Sequence, residues 1–78
     1  MDLGEADPKG LIRESYRIEG ITAAECRSIF VDWALSLPAG AGVAERARRL
    51  LSAYGEGAPG HPMTGVLTEA LAVPEAPR

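Results

Sequence analysis

Apolar side chains recur along this chain at helical spacing, in four segments separated by glycine and proline. No apolar–polar alternation long enough for a strand competes with them, and no segment repeats another. In the first segment Leu11, Ile12, Ser15, Tyr16 and Ile18 fall on one face at about 100° per residue. Asp7 reads as its N-cap, Pro8 as its first helical residue and Gly20 as its left-handed stop, with Gly10 weakening the first turn.

The second segment carries the clearest start signal. Thr22-Ala23-Ala24-Glu25 has the pattern of a capping box, in which the threonine hydroxyl accepts the Glu25 amide proton and the glutamate reaches back to the Thr22 amide. Ile21 and Cys26 flank it at the positions of a hydrophobic staple. The helix is expected to run to Leu37, before Pro38 and an Ala-Gly-Ala-Gly stretch. Cys26, Ile29, Phe30, Trp33 and Leu37 share one face of it, and Ala24, Val31 and Leu35 share a second face nearly opposite. A helix so apolar around its circumference is usually covered on more than one side.

The third segment, roughly Val43 to Tyr54, is amphipathic. Val43, Ala47, Leu50, Leu51 and Tyr54 face inward, Glu45, Arg46, Arg48, Arg49 and Ser52 outward, and Gly55 is the stop. A loop through Gly60 leads to a fourth helix that starts between Pro62 and Thr64 and ends before Pro74. The pattern predicts an all-α protein: a compact bundle of four short helices with the second, about 23–37, at its centre. Residues 1–6 are expected to be a flexible N-terminus, 7–73 a single helical domain and 74–78 a C-terminal tail.

Composition sharpens this picture at one point. Hydrophobic residues make up 46% of the 78, but 13 of them are alanine, so the stock of large core side chains is small. A chain this short buries only about 60% of the surface its unfolded form exposes, and disulfides, a metal or a partner subunit commonly make up the deficit. One cysteine forms no internal disulfide. One cysteine and one histidine, without CxxC or HxxxH spacing, predict no metal site, and the glycine-rich stretches match no phosphate-binding loop, so no cofactor is expected. What is left is tight helix packing or self-association.

The net charge of −3 weighs against nucleic acid and anionic membranes as partners. The short Gly20-Ile21-Thr22 turn would suit a helix-turn-helix, but the helix after it offers base edges only Glu25, Arg27, Ser28 and Asp32. The acidic N-terminus lacks an apolar signal region, and no apolar run approaches the roughly 20 residues of a membrane span. With a single cysteine, these features predict a cytoplasmic protein. The bias toward Ala, Gly, Pro and Arg suggests a bacterial source.

Three sets of residues are candidates for function. Val31 and Leu35, on the second apolar face, are candidates for an interface, either in a homodimer or with a larger protein. This gives the leading expectation, a non-catalytic protein-interaction or self-association module. Cys26, in the first turn of a capped helix where the macrodipole lowers a thiol pKa, is the candidate for a thiol enzyme or redox sensor; the opposing expectation is a small buried hydrophobe. A pairing of Cys26 with His61, the sole histidine, would need a fold that joins them. Lys9, Arg13 and Arg17, at i, i+4 and i+8, are the candidate contacts of a small anion or metabolite. Glu14 beside them fits a solvated helix face instead.

Overall fold

The computed structural model describes residues 1–72, which form helices joined by turns, with no strand among them. The helices are α1 (Leu3–Ala6), α2 (Leu11–Ser15), α3 (Ala23–Ser36), α4 (Val43–Leu50) and α5 (Pro62–Ala72). A π-helical turn, Leu51–Gly55, continues α4 without a break. The fold is all-α, with five helices where the periodicity predicts four. The tail expected at 74–78 lies outside the described residues.

Helix α3 begins where its capping box places it. The Thr22 hydroxyl accepts from the Glu25 amide at 3.1 Å, and a Glu25 carboxylate oxygen accepts from the Thr22 amide at 3.0 Å. Ile21 and Cys26 on either side of the cap are both buried. Leu37, turned to extended backbone ahead of Pro38, ends the helix. Helices α4 and α5 also occupy the expected stretches. His61 caps α5, its Nδ1 accepting from the Met63 amide at 3.0 Å.

The first segment departs from expectation. Asp7 is not the N-cap of a helix beginning at Pro8. Gly10 holds that place, in left-handed backbone at φ 68°, and the chain from Asp7 to Gly10 is a turn. Asp7 nevertheless serves the helix. Its buried carboxylate accepts from the Ile12 amide at 3.3 Å and the Arg13 amide at 3.0 Å, capping α2 from beyond the turn. After Ser15 the backbone tightens into bonds from Arg17 to Glu14 and from Ile18 to Ser15, so the helix closes five residues before Gly20. Gly20 does adopt left-handed backbone, at φ 76°. The tightening rotates Ile18 off the inward face, and it is exposed.

The N-terminus is also built into the structure. Leu3–Ala6, expected to be a flexible end, form α1, capped by Asp2 and packed on α4. Arg49 of α4 donates to the Met1 carbonyl at 3.0 Å. Ala6 is fully buried, and its carbonyl accepts from the Trp33 indole at 2.7 Å.

Packing runs in the order α2, α3, α5, α4, α1, each helix against the next. The middle of that order is α5; α3, the helix expected at the centre, packs between α2 and α5. Trp33 is the largest fully buried side chain, with Ile12, Leu50, Met63 and Leu67 next in volume. Burying each such side chain fully contributes about 1.5–3 kcal/mol. The inward face of α3 is the one read from its wheel: Cys26 and Trp33 are buried, and Ile29, Phe30 and Leu37 pack at the margin of the core.

Two predictions follow from this arrangement. Trp33→Phe keeps an aromatic ring but removes the indole N–H, leaving the Ala6 carbonyl buried and unpaired beside a void. Unfolding free energy measured by urea titration should fall by about 2–4 kcal/mol. Separately, the bonds from the Thr22 amide and hydroxyl hold the Glu25 carboxyl below its ordinary value of 4.5. A carboxyl with a depressed folded-state pKa stabilises the fold above its unfolded value, and that contribution disappears as pH falls through the folded value. Urea titrations at pH 6 and pH 3 should therefore show a smaller acid loss in Glu25→Gln than in the parent chain.

Candidate functional site

The outer face of α3 holds the two most exposed of the large apolar side chains among the described residues. Leu35 is 79% exposed and Val31 52%. The reason is geometric. Helix α3 turns Cys26 and Trp33 inward against α2 and α5, so residues half a turn away point to solvent, and no further helix among the described residues lies over them. Val31 also lines a shallow groove of about 250 Å³ between α3 and α5. Phe30, Val66 and Ala70 contribute apolar surface to it, while Arg27 lines it from α3 and Glu69 from α5. Among the described residues the ion pairs are those of Glu14 with Arg13 and Arg17, so neither Arg27 nor Glu69 is paired.

Cys26 sits in the core. It is fully buried, and burial pushes its thiol above the ordinary value, with the Glu25 carboxylate adding to the rise and Arg27 opposing it. The thiol is thus held above its ordinary value, opposite to the lowering expected from its place in the first helical turn. The structure does not join it to His61 by a hydrogen bond. The His61 Nδ1 lone pair is taken by the Met63 amide, and its ring lies against Tyr16 with centroids 4.5 Å apart.

Tyr16 is the centre of a polar contact that the sequence did not single out. Thr64 donates its hydroxyl proton to the Ala58 carbonyl at 2.9 Å, which leaves the Thr64 oxygen to accept from the Tyr16 hydroxyl at 2.7 Å. Burial raises the Tyr16 phenol above its ordinary value, so it stays protonated as the donor in that pair. Tyr54, presented by the π-helical turn, also packs on Tyr16, with ring centroids 5.6 Å apart. These contacts fix the α2 end against the α4–α5 loop.

The basic residues do not form one stripe. Lys9 precedes α2 and lies in the turn; Arg13 is in the helix; Arg17 lies past its end. Lys9 and Arg13 line one cavity, which also takes in Asp7 and Tyr54. Arg17 pairs with Glu14 at 3.3 Å and lines a different hollow, beside His61.

Among the described residues no group of three or more His, Cys, Asp or Glu side chains is placed to hold a metal ion. No helix among them is long and apolar enough to cross a membrane. The burial of Cys26 sets a direct expectation. Iodoacetamide at neutral pH should leave the native thiol unlabelled over times in which urea-unfolded chain reacts fully, and prompt labelling of the native state would contradict the placement. Neither a protein family, nor a curated protein, nor a solved structure matches this chain.

Proposed function

We propose that this protein is a non-catalytic self-association module that pairs with a second copy of itself through the outer face of α3 and the α3–α5 groove. The observation that carries this reading is the exposure of Leu35 and Val31 on a helix whose opposite face forms the core. Two large aliphatic side chains one turn apart, continuous with an apolar groove, make a surface that gains by being covered.

Charge placement favours a second copy as the covering partner. In a two-fold pair each patch meets itself reversed, so a surface with a cation on one wall and an anion on the other is complementary to its own copy. Arg27 on α3 and Glu69 on α5 meet that requirement, and neither forms an ion pair among the described residues. Small size adds a motive, since a core short of large side chains is strengthened by burying more apolar surface in a pair. In a cytoplasmic setting this would substitute for the disulfides that stabilise many small secreted domains. The thiol-enzyme reading draws no support from a cysteine sealed in the core.

Light scattering across a dilution series tests the proposal. The expected mass is twice the 8.2 kDa of the chain. Val31→Glu combined with Leu35→Lys should give a monomer with unchanged helicity, because both positions face solvent in the single chain. Arg27→Glu alone and Glu69→Arg alone should each weaken pairing at least tenfold, and the two together should restore it. A parent chain that is monomeric at every concentration, or a Val31→Glu/Leu35→Lys variant that still pairs, would overturn the reading.

A further inference from the structure

Between α1, the turn that follows it and the π-helical turn lies a cavity of about 310 Å³. Leu3, Pro8 and Gly10 form part of its wall, and Lys9, Arg13 and Tyr54 also line it. Its volume is at the lower end of the roughly 300–1,000 Å³ typical of small-molecule sites. One carboxylate, Asp7, also lines it, but both Asp7 oxygens are engaged by the Ile12 and Arg13 amides. Lys9 forms no ion pair among the described residues, and Tyr54 forms no side-chain hydrogen bond there. Arg13 has only a surface contact with Glu14 at 3.6 Å. Residues that carry an ammonium, a guanidinium and a phenol hydroxyl thus line the cavity, and its one carboxylate, Asp7, is hydrogen-bonded to backbone amides.

Two backbone features shape the cavity around these groups. Gly10 adopts left-handed backbone, and a Cβ added there would lie 2.7 Å from a terminal nitrogen of Arg13, so the guanidinium lies over a position that only glycine leaves open. The widened π-helical turn directs Tyr54 to the cavity while its ring stacks on Tyr16. Such turns are frequent at functional sites.

We infer that this cavity binds a small anion, of the carboxylate or phosphate class, held by Lys9 and Arg13 with a hydrogen bond from the Tyr54 hydroxyl. A bidentate guanidinium suits either planar carboxylate or tetrahedral phosphate oxygens, with the lysine as a second point charge. The site lies apart from the α3–α5 groove and does not depend on self-association. Arg17, the third residue of the linear basic pattern, has no part in it.

The test is a titration of the full chain, followed by amide chemical shifts, with inorganic phosphate in one arm and succinate in another. Sodium chloride at matched ionic strength is the reference. Saturable shifts confined to Leu3–Arg13 and the region of Tyr54 are expected in at least one arm, and the stronger arm identifies the anion class. Lys9→Gln with Arg13→Gln should weaken that binding at least tenfold, and Tyr54→Phe should weaken it severalfold. Lys9→Gln alone, at an exposed turn position, supplies a variant that keeps the fold if the double substitution does not, and it too should bind more weakly. Arg17→Gln should bind as the parent does. The inference is overturned by shifts that do not saturate in either arm, by shifts that chloride reproduces, or by equal binding in Lys9→Gln.

Discussion

The hydrogen bond from the Trp33 indole to the Ala6 carbonyl is the constraint on which the rest of this structure depends. A chain short of large apolar side chains has to place its one tryptophan at the centre, and burying an indole N–H without a partner is costly. The partner comes from 27 residues earlier, a carbonyl at the end of a four-residue helix. That helix has no stability of its own. It persists because Ala6 meets the indole on one side and α1 packs on α4 on the other. Core formation and ordering of the N-terminus are therefore one event.

What the amino-acid pattern discloses depends on whether the deciding contact is local. The start of α3 is legible because every group of its cap lies within four residues, Thr22 to Glu25. Its two apolar faces are legible for the same reason; that Val31 and Leu35 stand uncovered is not, because it depends on where the other helices pack. The first segment is not legible in this way. The choice between a helix from Pro8 and a turn closed by Gly10 is made by the Asp7 carboxylate reaching the Ile12 and Arg13 amides, and by Ala6 docking on Trp33. The apolar spacing of Leu11, Ile12, Ser15 and Tyr16 fits either solution.

The same distinction runs through the candidate sites. Cys26 has the sequence position of an activated thiol, but its reactivity is decided by how completely α2 and α5 enclose that turn of α3, which no local pattern encodes. Lys9, Arg13 and Arg17 align only if the helix is continuous; once it closes at Ser15, the three part company. The π-helical turn leaves no mark either, since Leu50, Leu51 and Tyr54 serve a regular helix equally well. Thr64 gives no hint that it joins Tyr16 across 48 residues.

The order in which the helices pack has a consequence for how the chain is made. Helix α1 waits for α4, and Tyr16 waits for Thr64 in α5. During synthesis the nascent N-terminal half has its tryptophan and its phenol but not the surfaces that enclose them. A fragment that stops before α5 lacks Met63, Val66 and Leu67 of the core and the Thr64 partner of Tyr16, so these contacts close only once α5 is made. A product cut short before α5 therefore leaves bare the apolar surface that this helix encloses, the kind of surface chaperones bind.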